Sequence, residues 1–388
     1  MKYGLVLEGG GAKGAYHIGA VKALLQAGYE IGAITGASIG AINGAMIVQG
    51  DINKIEKIWQ EWSFSDIFDF ENEKISKALN GEFDFNVIKY LTKQVGKALK
   101  NGGIDTEKIR ALLVENIDEQ RVRSSNIEFG LVTICLSEKQ AEELFIEDIP
   151  EGMLVDYIMA SASLPVFKSM KIGEKQYLDG GMYDNCPVHM LEKKGYKNVI
   201  AIRTYKKMRI RDYKNIVKRG NVKIQMISPI DMLPNILNFD RKTLDKTLNL
   251  GYYDALKSIE NLDGYRYYVK CEDEKEFFKR IVTINPKQIE KMAKLLNIEL
   301  IVNSNITKTM FEKILPFLVS KTKLKFAGTY KESVYAIVEQ VALVAGVKRF
   351  RVYESFDELL GEVKKVVVYK DKSKIDEALC RFVKGLAL

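Results

Sequence analysis

Gly36-Ala37-Ser38-Ile39-Gly40 lies between the apolar run Ile31-Gly32-Ala33-Ile34-Thr35 and the small-residue run Ile39-Gly40-Ala41-Ile42-Asn43-Gly44-Ala45-Met46. A G-x-S-x-G pentapeptide between strand and helix patterns predicts a tight, strained strand-to-helix turn. Its glycines let neighbouring backbone pass where a Cβ would clash, and its serine hydroxyl stands exposed at the mouth of a parallel sheet. Gly40, Ala41, Gly44 and Ala45 keep the following helix thin enough to lie close on that sheet, with its positive N-terminal end at Ser38. Upstream, the same order of strand, turn and helix is written once more, as residues 3–7, Glu8-Gly9-Gly10-Gly11-Ala12-Lys13-Gly14 and residues 15–27.

The glycine turn offers consecutive backbone N–H groups at the carboxyl end of the first strand, where they could bind a developing oxyanion. One such donor is worth about 3 kcal/mol in a transition state. Taken alone, residues 9–14 also satisfy G-x-G-x-x-G, a dinucleotide fingerprint. The acidic residue that fingerprint wants at the end of the second strand is missing, because residues 31–35 run straight into the serine turn. A dinucleotide-binding protein therefore stays as a low-weight alternative. The G-x-S-x-G pentapeptide alone is equally readable as an ordinary packing turn.

A serine nucleophile needs a base, and the chain has only two histidines. His17 falls on the first predicted helix and reads as a helix-face residue. Ser38, Asp179 and His189 follow the chain order of a hydrolase triad, but His189 comes two residues after Pro187, which marks a helix start, and so reads as a first-turn residue. The better partner is Asp179. Tyr177-Leu178-Asp179-Gly180-Gly181 puts a carboxylate at the end of a short strand, followed by two glycines that permit close approach of another segment.

At this point the sequence resembles the patatin-like phospholipase family. The resemblance rests on four ordered blocks: Gly9 to Gly14, Gly36 to Gly40, Ala160-Ser161-Ala162-Ser163-Leu164-Pro165 with Phe167, and Asp179-Gly180-Gly181-Met182-Tyr183-Asp184-Asn185-Cys186-Pro187-Val188. It covers roughly residues 1–271. It implies a three-layer α/β/α hydrolase with a central, mainly parallel sheet, and a Ser38–Asp179 dyad. It further implies an oxyanion hole in the glycine loop of Gly9, Gly10, Gly11, Lys13 and Gly14; with only two histidines and no acidic calcium loop in the sequence, no metal or other cofactor is expected. The activity implied is cleavage of phospholipid or lysophospholipid acyl esters through an acyl-serine intermediate. An acyltransferase or general carboxylesterase using the same serine is the alternative.

A dyad poses a physical problem. An ordinary aspartate has a pKa of ~3.9 and gives up ~4 kcal/mol as a base relative to one matched to neutral pH. Burial of Asp179 would recover part of this by desolvation. Once Asp179 holds the Ser38 proton it is neutral, so the oxyanion depends on Gly10, Gly11 and Lys13.

With 388 residues, 47% hydrophobic and 28% charged, the chain can bury a full core. No apolar run reaches the ~18 residues of a membrane span, and Met1-Lys2-Tyr3 leads directly into a strand, so a cytoplasmic protein is expected. The four cysteines, Cys135, Cys186, Cys271 and Cys380, are scattered and read as reduced thiols. No acidic calcium loop and no cluster at metal-ligand spacing is present. The net charge of +8 is concentrated at 203–223, where Arg203, Lys206, Lys207, Arg209, Arg211, Lys214, Lys218, Arg219 and Lys223 face one acid, Asp212. This stretch is read either as a solvated loop or as a peripheral contact with an anionic membrane, at the inner membrane surface. Nucleic acid is not expected, since no nucleic-acid motif accompanies the charge. Oligomeric state is left open.

Between the serine turn and the strand at 127–134 lies a long helical stretch, 52–117, whose aromatic cluster Trp59, Trp62, Phe64, Ile67, Phe68 and Phe70 reads as core or as an acyl channel. A strand at 265–269 is expected to close the α/β alternation. After Cys271 the pattern changes to Lys-rich amphipathic helices. Val334, Ile337, Val338, Val341 and Val344 recur at helical spacing, as do Ile306, Met310, Ile314 and Leu318, with a kink expected at Pro316. The expected domains are thus 1–271 and a helical extension, 272–388.

Overall fold

The first strand, β1 (Lys2–Leu7), is buried from Gly4 onward and sits at the centre of the sheet, which suits its unbroken apolar run. The structure is a computed structural model describing residues 2–61, 103–165, 167–206, 222–236, 238–301, 305–324, 327–367 and 373–387. Its contacts divide the chain into two compact units, Met1–Leu256 and Lys257–Leu388.

In the first unit β1 is followed by a short 3-10 turn and α1 (Ala15–Gln26), then β2 (Glu30–Ala37), α2 (Ile39–Val48) and α3 (Ile52–Glu61). After the undescribed residues 62–102 come α4 (Glu107–Asn116), α5 (Glu119–Arg123), the hairpin β3 (Glu128–Cys135) and β4 (Gln140–Phe145), and α6 (Leu154–Ser161). The hairpin β5 (Met170–Ile172) and β6 (Lys175–Asp179), α7 (Val188–Lys193), β7 (Asn198–Ile202), β8 (Lys223–Ile227) and α8 (Arg241–Glu260), whose last turn runs past Leu256, complete the series.

The sheet runs β5-β6-β3-β2-β1-β7-β8, with β4 also paired to β3. Neighbours from β3 through β2, β1 and β7 to β8 are parallel, whereas β4, β5 and β6 join antiparallel. The chain leaves β1 toward β2 on one side and returns to its other side through β7. That reversal opens a crevice at the carboxyl ends of these strands, where α/β sheets bind ligands.

Both faces of the sheet are covered. On one face α2 packs at Gly44 against Phe129 and Ile34, where a Cβ would come within 3.0 Å of the Phe129 ring. On the other, Val6, Ala33, Val199 and Ala201 pack against Val188 and Leu191 of α7. This is the three-layer α/β/α arrangement expected.

The second unit is helical around its own core, to which Phe277, Ile281, Ile289, Met292, Val334, Ile337, Val338, Phe356 and Phe382 contribute. Two expectations change here. The strand expected at 265–269 is reduced to Tyr268–Val269, and it pairs with Val352–Tyr353 inside this unit instead of extending the large sheet. The unit begins after Leu256, ahead of the change in sequence pattern at 271, because those strands and the residues leading into them pack with the helical core. The Val334 stripe is buried through Val341, but Val344 is exposed at the helix end. At Pro316 the helix accommodates the lost N–H with a π turn, Met310–Ile314, immediately upstream.

His189 links α7 to the β3–β4 hairpin. Its Nδ1 lies 3.0 Å from Asp184 Oδ2, and its Nε2 contacts Glu143 Oε1. Burial disfavours its charge, but the two carboxylates outweigh burial and push its pKa up to about 9. The hydrogen bond from His189 leads the causes that hold Glu143 down at about 2. A pKa raised on folding stabilises most fully below the unfolded value of ~6.5 and ceases to do so as pH rises through the folded value. The ceiling is about 3 kcal/mol, less after solvent screening. Thermal unfolding followed from pH 7 to 10 is therefore expected to show a falling midpoint, and His189→Gln should flatten that fall. An equal fall in both proteins would remove His189 as its source.

Candidate active site

Two strands meet end to end along one edge of β3. β2 runs beside β3 as far as Ala37, opposite Val132, and β6 arrives from the other direction with Asp179 opposite Thr133, the next residue. Ser38 and Asp179 thus leave their strands at adjacent register positions, although 141 positions separate them in the numbering. Gly180 makes the meeting feasible: a Cβ there would lie 1.9 Å from Val132 O.

Ser38 has φ 56° and ψ −124°, a left-handed conformation that a non-glycine residue holds only under strain. Its neighbours enforce it. A Cβ on Gly36 would lie 2.3 Å from the Gly40 carbonyl carbon, and one on Gly40 would lie 2.1 Å from Leu7 O. The Ser38 N–H donates to Ser161 Oγ at 3.0 Å. Two residues on, Ser163 O accepts the Asp179 N–H at 2.8 Å, so the segment closing α6 grips both strand ends. Asp179 is 3% exposed, and its Oδ1 accepts the Gly181 N–H at 2.7 Å.

The glycine loop crosses the end of β1. Gly11 has φ 57°, and a Cβ there would meet Ile236 O at 2.2 Å, so this position requires glycine. Gly9 is held at both of its polar atoms. Its N–H donates to Asn185 O at 3.1 Å, and its carbonyl accepts from Asn185 Nδ2 at 3.2 Å and from Thr204 Oγ1 at 2.6 Å. Beneath the loop Glu8 is fully buried. Its Oε1 accepts from Arg203 Nη2 at 2.8 Å, and its Oε2 accepts from the Thr204 and Tyr205 N–H groups at 2.7 and 3.2 Å. Sheet register explains the pairing: Leu7 lies opposite Ile202, so the next residues on the two strands are Glu8 and Arg203.

Ser38, Asp179, Gly9, Gly10, Gly11, Gly181 and Asn185 all line one cavity of about 230 Å³. Its remaining wall is largely apolar, with Ile39 and Ile42 from α2, Ile109, Leu112 and Leu113 from α4, and Leu164, Phe167, Met182, Ile236 and Phe239. The amides of Gly10 and Gly11 have no protein acceptor among the described residues. The combination of hydroxyl, carboxylate and glycine-loop backbone lining an apolar cavity suits acyl transfer from an ester with a hydrocarbon tail.

Other residues singled out in the sequence take different places. Lys13 is not among the cavity-lining residues, and its Nζ lies 3.5 Å from the centroid of the Tyr205 ring. Burial lowers its pKa, with Glu8 acting in the opposite direction. Gly14 packs against Ile39, Asn43 and Trp59, with no space for a Cβ. His17 is fully buried behind the loop, where Asn43 Nδ2 bridges Gly14 O and His17 Nδ1 at 2.9 and 3.2 Å. Burial drives the His17 pKa down to about 3, leaving a neutral ring. Trp59 is core, donating to Asn43 Oδ1 at 2.9 Å; the rest of its aromatic cluster, Trp62 to Phe70, lies outside the described residues.

Arg203 belongs to the Glu8 network, so it is not part of a solvent-facing basic stretch. Lys206 donates to Ile230 O at 3.0 Å, and residues 207–221 lie outside the described residues. Cys135, Glu138 and Glu142 are close enough to share an ion, but they sit at the β3–β4 hairpin away from the cavity lining, and Lys175 engages Glu138. No helix among the described residues is long and apolar enough to cross a membrane.

Sequence reasoning assigns no individual role to Ser161, Asn185, Glu8 or Thr204. For Glu8 a signal was present, since an acid directly after the apolar run Gly4-Leu5-Val6-Leu7 calls for a buried partner. Ser161 and Asn185 lie within the quoted sequence blocks, but their contacts, like those of Thr204, cross long chain separations that those patterns do not specify.

The chain is similar in part to known proteins. Lysophospholipase NTE1 of Debaryomyces hansenii is 28% identical over 267 residues, covering 66% of this chain and 15% of that protein. Neuropathy target esterase sws of Drosophila persimilis is 48% identical over 61 residues, covering 16% of this chain and 4% of that protein. The matches therefore span only a small part of the length of these relatives. Superposition on VipD from Legionella pneumophila gives a TM-score of 0.39 at 13% identity, over 98% of this chain and 90% of that one, too low to support an inference. Residues 5–192 match the family model described as Patatin-like phospholipase, and this part of the chain is a domain of the patatin-like phospholipase family.

Proposed function

We propose that the chain is a serine lipid acyl hydrolase that cleaves the acyl esters of phospholipids or lysophospholipids. The observation that carries this reading is the convergence of Ser38, Asp179 and the Gly10 and Gly11 amides on one apolar cavity. Ser38 Oγ attacks the ester carbonyl carbon while Asp179 takes its proton. The carbonyl oxygen becomes an oxyanion facing the Gly10 and Gly11 N–H groups. When the tetrahedral centre collapses, the C–O bond to the leaving alcohol breaks and Asp179 returns the proton to that oxygen. Water then attacks the acyl-serine by the same route, releasing fatty acid and regenerating Ser38.

The apolar wall favours a hydrocarbon tail over a charged group inside the cavity, so the polar head of the substrate stays at its mouth. The curated relatives named for esterase and lysophospholipase activity point to the same substrate class. Both steps use groups of this chain and require no cofactor.

Two outcomes are expected. Ser38→Ala should abolish fluorophosphonate labelling and hydrolysis of a soluble short-chain ester, and Asp179→Asn should lower turnover by about 10²-fold or more with the fold intact. Labelling that survives Ser38→Ala in intact-protein mass spectrometry would displace the nucleophile. Leu112→Trp, by filling the apolar wall, should lower kcat/KM for a dodecanoyl ester relative to a butanoyl ester by about tenfold. An unchanged ratio would mean that the acyl chain lies elsewhere.

A further inference from the structure

The proposed oxyanion chemistry depends on the peptide between Gly9 and Gly10, which is also one of the easiest in the molecule to turn over. Neither flanking residue has a Cβ, so rotation of the peptide plane meets little local steric resistance. A trans peptide carries its C=O and N–H on opposite edges. In one orientation Gly10 presents an N–H to the cavity. In the other Gly9 presents a carbonyl oxygen, which would repel the oxyanion it should stabilise.

We infer that Thr204, together with Asn185, is a positioning residue that pulls the Gly9 carbonyl away from the cavity and so presents the Gly10 N–H to the oxyanion. This rests on the hydrolase reading above. The Gly9 oxygen accepts from Thr204 Oγ1 at 2.6 Å and from Asn185 Nδ2 at 3.2 Å, which occupies both of its lone pairs. Turning the peptide over would break both bonds and leave a buried hydroxyl and a buried amide without this acceptor. Thr204 is buried and is not among the cavity-lining residues, so it acts through Gly9 and not on the substrate.

The Thr204 hydroxyl has one proton and two oxygens within reach, Gly9 O at 2.6 Å and Glu8 Oε2 at 3.4 Å. Glu8 is already supplied by Arg203 and by the Thr204 and Tyr205 amides, so the proton goes to Gly9. The same amide contact fixes the Thr204 backbone. The carboxylate thus places the residue whose hydroxyl aims the peptide.

The test compares Thr204→Val, which removes the hydroxyl at nearly constant shape, with Thr204→Ser, which keeps it. Both are measured in the full chain on a soluble short-chain ester. A trifluoromethyl ketone that forms an oxyanion on Ser38, and the matching secondary alcohol that does not, serve as binding probes. T204V is expected to lower kcat by about 10- to 100-fold with KM within about twofold, since a misdirected donor forfeits most of the effect of an oxyanion contact. Affinity for the ketone should fall in step with kcat, affinity for the alcohol should not change, and T204S should restore both. Thermal unfolding identifies a folded variant, and T204A carries the same comparison should T204V fail to fold. Parental kcat in T204V, equal losses of ketone and alcohol binding, or no recovery in T204S would each overturn the inference. Hydrolysis by the parent that Ser38→Ala abolishes tests the hydrolase reading separately.

Discussion

Backbone passes backbone beneath the cavity at distances that admit no side chain, and the rest of the site depends on this. With Gly40 against the Leu7 carbonyl and Gly36 against Gly40, α2 is drawn down onto the ends of β1 and β2. The turn that joins β2 to α2 has no length to spare, and Ser38 takes up the resulting strain at φ 56°. Such strain, of order 1–3 kcal/mol, persists only where surrounding structure over-determines it. Here the over-determination is visible in the glycine contacts, in the Ser161 hydroxyl on the Ser38 amide, and in the Ser38 carbonyl that accepts from the Ala41 and Ile42 amides of α2. Any side chain at Gly36 or Gly40 would clash with this backbone and shift the turn that carries Ser38.

Much of this was legible in the sequence because it was local. The serine turn, the glycine loop, the aspartate at a strand end and the thin helix after Ser38 are each written in a run of five to ten residues, and each occupies the place its pattern implies. β4 and β5 were not read. Gln140-Ala141-Glu142-Glu143-Leu144-Phe145 carries two glutamates because it pairs with only one neighbour, so no apolar alternation announced it. The strand at Tyr268–Val269 was read correctly as a strand and assigned to the wrong sheet, since partner choice is a property of the whole chain.

The proposed dyad shows the same boundary between local and non-local information. Asp-Gly-Gly marks Asp179 as a carboxylate on a turn, but only the β3 register puts it beside Ser38. Likewise, His189 follows the chain order of a triad, whereas the folded chain surrounds it with Asp184 and Glu143 and holds it protonated. A ring kept charged by two carboxylates has no lone pair to offer a hydroxyl. Sequence order suggested a base, and the environment of the ring makes it a structural cation.

The proposed Ser–Asp pair also sets what the remaining fold would have to supply. In a triad an imidazolium stays beside the oxyanion; in a dyad the aspartate becomes neutral on accepting the proton, so stabilisation falls to peptide dipoles. Dipoles act only if they are aimed, and glycine-rich backbone is the least able to aim itself. The buried Glu8–Arg203 pair fits this requirement. A buried ion pair adds little net stability relative to apolar packing, yet losing one member strands a charge and costs about 3–5 kcal/mol. Its value here is therefore geometric. It ties the end of β1 to the end of β7, and through Thr204 it reaches the Gly9 carbonyl, so that the permissive loop inherits the position of two adjacent interior strands.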